Sequence, residues 1–315
     1  MAFVDIGAMG DYLWLVLGVG CAAAGGDLFV DGMLAMGRWL RISPAILAST
    51  VAAFATSMPE LSVSIHAAAA GSPEISLGDA LGSNVVNVAL VFGLALLVAD
   101  VQCRRDAVKR DFSVALLAPA LIAMLGSDGV LSRLDAALLF AAFFAWLGMV
   151  ARAGYAGRGG GPAITPGARA RTAVVRGAAG LALLFVAGGF IVDGARGIAA
   201  SFGLDGFLVG ATVIALGTSV PELSTAVVAM LRRHSDVALG TVLGSNIFNA
   251  LFVVPVAAAV HPIAVHWQGL GPVLAAGLLA LALAFPGRDH RIGRRRGVAL
   301  LLLYAGYVAA VGSAS

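Results

Sequence analysis

The chain consists of long apolar segments separated by short polar ones. A membrane-spanning helix needs roughly 20 predominantly apolar residues, and ten segments approach this length. The fourth of them is short, and we expect its helix to begin further back, near residue 107. This pattern predicts an all-α integral membrane protein with ten transmembrane helices. The segments cover residues 9–30, 44–70, 76–99, 112–126, 131–151, 177–200, 206–231, 236–260, 268–285 and 297–313.

The composition agrees with a membrane protein. Of the 315 residues, 60% are hydrophobic and 12% are charged, whereas soluble domains carry about 25% charged residues. The stretch before the first segment contains Asp5 but no Lys or Arg, so it lacks the basic region of a secretory signal and the first segment is expected to remain as a span. Cys21 and Cys103 have no spacing typical of a disulfide or a zinc site.

The basic residues lie mainly on one side of the predicted membrane. Of the 20 Lys and Arg residues, 18 follow odd-numbered segments, while Arg133 lies on the other side and Arg196 lies inside the sixth segment. By the positive-inside rule, both termini then face away from the cytoplasm. This predicts a multi-pass protein of the plasma (inner) membrane in contact with the lipid bilayer. We expect the basic stretches to bind no nucleic acid, and no protein partner is predicted.

The sequence also contains an internal repeat. Residues 26–91 align with residues 188–253 without a gap, and 22 of 66 positions are identical. The identical positions concentrate in two short polar motifs. TSMPELS aligns with TSVPELS, which we call the first phrase, and LGSNVVN aligns with LGSNIFN, which we call the second phrase. Five predicted spans, an odd number, separate equivalent points, so the second copy enters the membrane upside down. Inverted repeats of this kind form secondary transporters, with the ion or substrate site at mid-membrane between the repeats.

The repeat divides the chain into two inverted five-helix halves. The first covers residues 1–152 and contains repeated phrases at 53–60 and 82–87, and the second covers 177–315 with phrases at 215–222 and 244–249. The linker between the halves, residues 153–176, is rich in Gly and Arg. It is too short to fold as a domain of its own, and we expect a flexible cytoplasmic tether.

Each copy of the first phrase joins a glutamate to a helix-breaking proline. Glu60 and Glu222 are two of only three glutamates in the chain. Pro59 has no amide hydrogen, so the carbonyl of Ala55, four residues earlier, loses its helical partner; the second copy repeats this arrangement. Such carbonyls are tolerated at membrane depth only if another group satisfies them. Hydroxyl side chains lie within about one turn of each break, namely Thr56, Ser57, Thr218 and Ser219.

The second phrase adds a serine and an asparagine on one helix face. Ser83 and Asn87 are four residues apart, and Ser245 and Asn249 repeat that spacing. The glycine before each serine would let neighbouring helices approach closely. Together the two phrases supply hydroxyls, amide oxygens, main-chain carbonyls and two carboxylates. Such hard oxygen ligands suit Ca²⁺, whereas soft transition metals prefer Cys or His.

The two carboxylates together carry a charge of −2, which one Ca²⁺ or two monovalent ions would balance. Buried carboxylates without a compensating charge are costly. A site that must be filled, and that can be filled in two ways, is typical of an exchanger.

These phrases resemble the two α-repeats of the sodium/calcium exchanger family, of the prokaryotic calcium/sodium antiporter type, within the cation/calcium antiporter superfamily. The resemblance covers both halves of the chain. It implies a ten-helix inverted-repeat fold and exchange of Na⁺ for Ca²⁺ by alternating access, with both ions as transported substrates and no cofactor. The binding groups that it implies are the side chains of Thr56, Ser57, Glu60, Ser83, Asn87, Thr218, Ser219, Glu222, Ser245 and Asn249, and the main-chain carbonyls of Ala53 and Ala215.

One of these positions departs from part of the family. Some prokaryotic members carry Asp where this chain has Asn249, and other branches carry Asn. With Asn at both 87 and 249, the predicted site has two acidic groups rather than three. The number of Na⁺ ions per cycle and any proton coupling therefore stay open.

Three alternatives stand beside this prediction. An exchanger of H⁺ for Ca²⁺ or another divalent cation in the same superfamily would usually have Gly-Asn in place of the two Thr-Ser pairs, so the hydroxyls favour Na⁺. An intramembrane enzyme with Ser57 or Ser219 as nucleophile needs a base in an asymmetric site, whereas the carboxylates here are duplicated; we do not expect an enzyme. In a passive channel, two carboxylates would hold Ca²⁺ too tightly for rapid flux unless ions displace one another.

Some polar residues have simpler explanations. Asn87 and Asn249 could hold helices together through their amides. Asp31 and Asp193 also repeat, but no hydroxyl-rich stretch surrounds them, and a structural role is favoured over a role in gating. His66 has no counterpart in the second copy, which favours packing.

Overall fold

A computed structural model gives the fold, which consists almost entirely of helices. The structure describes residues 6–40, 42–69, 71, 73–103, 105, 108–156, 168–201 and 215–314. The predicted all-α fold class is confirmed.

The helices of the first half follow the first five predicted segments. The second segment is divided into two helices, and the fourth extends back through a π-helical turn at Val108–Phe112, as expected from its short apolar stretch. The helices are α1 (Ile6–Leu40), α2 (Pro44–Thr56), α3 (Met58–Ala69), α4 (Pro73–Val98), α5 (Ser113–Leu125) and α6 (Arg133–Ala156).

The second half repeats this order. Its helix α7 begins inside the predicted linker, and α6 ends inside it, so helix extends into residues 153–176 from both sides; residues 157–167 lie outside the described part. Part of the seventh predicted segment, residues 202–214, lies outside it too. The helices are α7 (Ala168–Ser201), α8 (Ala215–Thr218), α9 (Val220–Leu231), α10 (Ser235–Val260), α11 (Trp267–Ala284) and α12 (Arg294–Ala314).

Several of these helices are long and apolar enough to cross a membrane. Among the described residues there are six such helices, or seven if the bent pair α2–α3 counts as one span. They correspond to predicted segments 1, 2, 3, 4, 5, 8 and 9. The other three segments coincide with α7, α9 and α12, which this criterion of length and composition does not count as spans. The chain is therefore a helical membrane protein, with six or seven helices among the described residues that could span a membrane.

Two short antiparallel ladders connect the halves of the chain. Strand β1 (Val101–Gln102) pairs with β4 (Arg291–Ile292), and β2 (Val130–Leu131) pairs with β3 (Ile263–Ala264). The repeat alignment, continued at the same offset, carries β1 onto β3, so the ladders are themselves related by the repeat. Each ladder holds its two strands at the same end of the bundle. This agrees with the predicted alternation, which places β1 and β4 on one side and β2 and β3 on the other.

The centre of the bundle is formed by α4 and α10. In an 18-residue apolar window of each, 78% and 94% of the residues are buried, compared with 28% for α6 and 33% for α11. The outer helices carry large exposed apolar side chains, such as Leu117 and Leu134. The repeated Ser-Asn phrases lie on the two central helices, so their polar groups are enclosed by the protein.

Candidate functional site

Each copy of the Thr-Ser-x-Pro-Glu phrase lies where a helix is interrupted. Between α2 and α3 the chain bends by 43°, and Ser57 at the break has φ −88° and ψ 15°. Ser219 between α8 and α9 has nearly the same conformation, with φ −83° and ψ 6°. The following proline lies in the first turn of the next helix, where its missing amide hydrogen removes no intrahelical bond. The break expected from the sequence is therefore present in both copies.

The main-chain carbonyls of Ala53 and Ala215 are both hydrogen-bonded at the helix breaks. Ala215 O accepts from the amide of Ser219 at 3.2 Å and from the Thr218 hydroxyl at 3.2 Å. Ala53 O accepts from the amide of Ser57 at 3.0 Å, and the Thr56 hydroxyl is 3.4 Å away. A carbonyl oxygen has two lone pairs. The Thr56 hydroxyl has a single hydrogen, and its shorter bond is to Ala52 O at 3.0 Å, which leaves Ala53 O a lone pair for an ion. Ala215 O would need the Thr218 hydroxyl to turn away before it coordinated an ion.

The two glutamates are fully buried and lie in the first turns of α3 and α9. Glu222 Oε1 accepts hydrogen bonds from Ser57 Oγ and Ser245 Oγ, each at 3.0 Å. Its other oxygen, Oε2, has no hydrogen-bond partner among the described residues, and neither has either oxygen of Glu60. Ser57 lies three residues before Glu60, so its bond to Glu222 brings the two glutamate-bearing turns together. The bond from Ser57 to Glu222 also joins the two repeats.

The serines and asparagines of the second phrase face the same region. Ser83 Oγ lies 3.3 Å from Thr218 Oγ1, so it too connects the two repeats. Asn87 and Asn249 are fully buried, and within the described part of the chain their amide groups have no hydrogen-bond partner. Both lie in π-helical turns, Val86–Phe92 and Asn249–Val253, a helix distortion that is frequent at functional sites. The idea that these asparagines hold helices together has no hydrogen bond to support it.

A second asparagine pair, Asn84 and Asn246, was not predicted from the sequence to have a role. Asn84 Nδ2 donates to the carbonyl of Asn246 at 3.1 Å, and Asn246 Nδ2 donates to the carbonyl of Asn84 at 3.1 Å. The two residues occupy equivalent positions in the repeat, so each meets its own counterpart in the other half. Only residues beside a two-fold axis can do this, which places the axis between α4 and α10. The identical GSN in both phrases was the available signal.

The glycine of the second phrase allows α10 to lie directly against α2. A Cβ atom added at Gly244 would be 2.5 Å from the main-chain oxygen of Ser49 and 2.7 Å from the Cβ of Ala53. No side chain fits there without moving the backbone. The close approach expected for this glycine is therefore observed.

Asp31, which the repeat also duplicates, forms an ion pair. Asp31 of α1 pairs with Arg232 after α9, and Asp27 pairs with the same guanidinium, which fits the structural role favoured for Asp31. The side chains of Asp193 and His66 lie outside the described residues. Within the described ranges, no group of three or more His, Cys, Asp and Glu residues is arranged to hold a metal ion.

Comparison with known proteins agrees with this arrangement. The chain matches the family profile described as sodium/calcium exchanger protein over residues 11–152 and 172–312. It is 34% identical to CaxA of Alkalimonas amylolytica over 293 residues, which cover 89% of this chain and 92% of CaxA. It is 26% identical to the sodium/calcium exchanger MaX1 of Methanosarcina acetivorans, with 95% of this chain and 97% of MaX1 covered.

A solved structure shares the fold. The sodium-calcium exchanger NCX_Mj, in crystals soaked with 10 mM Na⁺ and 10 mM Sr²⁺, superposes with a TM-score of 0.83 at 28% sequence identity. The match covers 96% of this chain and 98% of the NCX_Mj chain. The similarity therefore extends over the whole bundle.

Proposed function

The chain belongs to the sodium/calcium exchanger protein family, and from this premise we propose that it exchanges Na⁺ for Ca²⁺ across the membrane. Transport proceeds by alternating access, with the ions bound at mid-membrane between Glu60 and Glu222. Members of this family are antiporters, not enzymes, and membership supports cation/Ca²⁺ antiport as the general activity. The specific ions and the two-glutamate site are the proposed part.

The observation that carries the proposal is a set of buried oxygen atoms without protein partners. Ca²⁺ takes six to eight oxygen ligands. Among the described residues, six such oxygens lie on the predicted binding residues: both carboxylate oxygens of Glu60, Oε2 of Glu222, the amide oxygens of Asn87 and Asn249, and the hydroxyl of Ser219. Buried polar groups are normally paired, and a cation with hard-ligand preference is the partner that this set suits.

Charge supports the same assignment. Glu60 and Glu222 supply −2, which one Ca²⁺ neutralises, while three Na⁺ would leave the loaded site at +1. Exchange of three Na⁺ for one Ca²⁺ moves one net charge per cycle and responds to membrane voltage. Exchange of two Na⁺ for one Ca²⁺ is electrically silent, and simultaneous measurement of flux and current distinguishes the two.

The proposal includes the membrane arrangement predicted from the sequence: ten spanning helices in two inverted repeats, with both termini on the non-cytoplasmic side of the inner membrane. Two observations support it. The ladders β1–β4 and β2–β3 pair strands that the alternation assigns to the same side. Asn84 and Asn246 meet their own counterparts, which fits two repeats related by an axis in the membrane plane.

The test is a Ca²⁺ flux assay in proteoliposomes that compares an imposed Na⁺ gradient with an imposed pH gradient. We expect the Na⁺ gradient to drive Ca²⁺ movement and Ca²⁺ to compete with Na⁺ for an overlapping site. Vesicles with the Glu222→Gln variant serve as the control for leak. If Ca²⁺ flux ignores the Na⁺ gradient and follows the pH gradient, H⁺/Ca²⁺ exchange replaces the proposed function.

A further inference from the structure

A third buried carboxylate, that of Asp79, lies in α4 outside the predicted set of ion ligands. Its side chain is buried, with 5% of the residue exposed. Neither of its oxygens has a hydrogen-bond partner among the described residues. Asp79, Ser83 and Asn87 follow one another at intervals of four residues, so they lie on one face of the helix. Asp79 therefore shares the face that carries the binding groups of α4.

Asp79 also lies beside Glu60. The first turns of α4 pack against α3, where Ser76 Oγ donates to the carbonyl of Ser64 at 2.9 Å. Helices α3 and α4 are joined by a short turn and run in opposite directions, so this contact places the turn of Glu60, four residues before Ser64, alongside the turn of Asp79, three residues after Ser76. Glu60, Asp79 and Glu222 are all buried, and five of their six carboxylate oxygens have no hydrogen-bond partner in the described part of the chain.

The second repeat has no acid at the matching position. The repeat alignment pairs Asp79 with Thr241, which is fully buried and whose hydroxyl has no hydrogen-bond partner among the described residues. At every predicted side-chain ligand the two repeats carry the same residue type, whereas here a carboxylate corresponds to a hydroxyl. Asp79 is one helical turn, about 6 Å, closer to the start of α4 than Ser83. In the proposed orientation this places Asp79 on the outer side of the ion site and Thr241 on the cytoplasmic side.

We propose that Asp79 is a third acidic residue of the ion site, which binds one Na⁺ together with Glu60 on the outer side of the Glu60–Glu222 pair. The inference rests on the proposed function and identifies where its additional Na⁺ is held. Including Asp79 changes the charge of the site from −2, the value for the two glutamates alone, to −3, which three Na⁺ neutralise. The Ca²⁺-loaded site then carries −1, so the charge of the cycle moves in the half-reaction that carries Ca²⁺.

The first test replaces Asp79 by Asn, and separately by Thr, the residue of the second repeat. The matched control is Glu74→Gln, which removes one negative charge from the first turn of the same helix, where the side chain is exposed. The measurement is Ca²⁺ movement in right-side-out membrane vesicles as a function of external Na⁺. We expect both Asp79 variants to raise the external Na⁺ concentration for half-maximal rate by about 100-fold, because a buried cation loses its counter-charge, and to lower the Hill coefficient. The Glu74→Gln variant should match the unchanged protein.

The second test moves the acid to the other repeat. In the double variant Asp79→Thr/Thr241→Asp, the total charge of the site is kept and the acid lies on the cytoplasmic side. We expect the Na⁺ concentration for half-maximal rate to rise at the external face and to fall at the cytoplasmic face, which is measured in inside-out vesicles. If Asp79→Asn fails to fold, this double variant and the separate variant Asp79→Glu, which both keep the negative charge, still test the proposal.

The outcomes separate this inference from the function on which it rests. If Na⁺ drives Ca²⁺ flux and Asp79→Asn leaves the external Na⁺ dependence and the Hill coefficient unchanged, Asp79 binds no Na⁺ and the inference is wrong while the proposed function stands. The inference is equally wrong if the double variant keeps its low half-maximal concentration on the external face. If the unchanged protein shows no Na⁺-driven flux, both are wrong.

Discussion

Replacing Glu60 by Gln separates the cost of burying a charge from its use in binding an ion. The side chain is fully buried, and neither carboxylate oxygen has a hydrogen-bond partner among the described residues. The substitution keeps the size of the side chain and removes no hydrogen bond seen in the structure. An ionised group buried without a partner costs several kcal/mol. We therefore expect Glu60→Gln to unfold, in the absence of Ca²⁺, at a temperature equal to or above that of the unchanged protein.

The same substitution removes half of the charge that would hold Ca²⁺. A unit charge at the Ca²⁺–oxygen distance of about 2.4 Å attracts the ion by about 14 kcal/mol at an effective dielectric constant of about 20, and most of this offsets the dehydration of the ion. Removing one partner from a buried charge pair has a net cost of about 3–5 kcal/mol. At about 1.4 kcal/mol per tenfold change, the affinity for Ca²⁺ falls by more than about 100-fold.

The assay combines thermal unfolding in detergent, with and without Ca²⁺, and Ca²⁺ uptake into proteoliposomes. A ligand at 100 times its Kd stabilises the folded state by about 2.7 kcal/mol, so Ca²⁺ should raise the Tm of the unchanged protein but not that of Glu60→Gln at the same concentration. Uptake by the variant should be abolished. Glu74→Gln, which removes an exposed charge, should behave as the unchanged protein. Near-normal uptake by Glu60→Gln would refute the two-glutamate site, and a lower Tm without Ca²⁺ would refute the burial argument.

Two further predictions concern packing and orientation. Gly244→Ala should lower the Tm and slow transport, because the added Cβ would lie 2.5 Å from a main-chain oxygen and such overpacking costs about 1–3 kcal/mol; an unchanged Tm would contradict the close approach of α10 and α2. A cysteine placed at exposed His261 should react with an impermeant thiol reagent from outside intact cells, and one at exposed Arg288 only from the cytoplasmic side. The native Cys103 should add little background, since burial raises the pKa of its thiol to about 12; labelling at Arg288 from outside would overturn the proposed orientation.

Much of the fold could be predicted because helix formation in a membrane is a local matter. In lipid each spanning segment must satisfy its own backbone hydrogen bonds, so a long apolar stretch has little choice but to form a helix. The proline breaks are equally local, since Pro59 lacks the amide hydrogen wherever the helix is placed. The gapless alignment of the two repeats likewise indicated two related halves without any structure. The family, the helical class and the position of both helix breaks all followed from such features.

The chemistry of the site could be predicted only as a set of residues. Ser57 donates to Glu222 and Ser83 meets Thr218, and these contacts join residues in different repeats. The phrases in the two halves are nearly identical, so the sequence treats Glu60 and Glu222 alike. Docking of the halves makes them different, because within the described residues Glu222 accepts two hydrogen bonds and Glu60 accepts none.

The sequence by itself determined which segments are helices, where two of them break, and which oxygen-bearing side chains are duplicated. Each of these depends on interactions within a few residues along the chain or on a direct comparison of the two copies. Only the tertiary structure decided which residues meet across the repeats, as Asn84 and Asn246 do on the axis, and which buried carboxylate lies beside Glu60. Asp79 was inconspicuous in the sequence because its burial and its neighbours come from the packing of α4 against α3, which involves residues that local patterns cannot bring together.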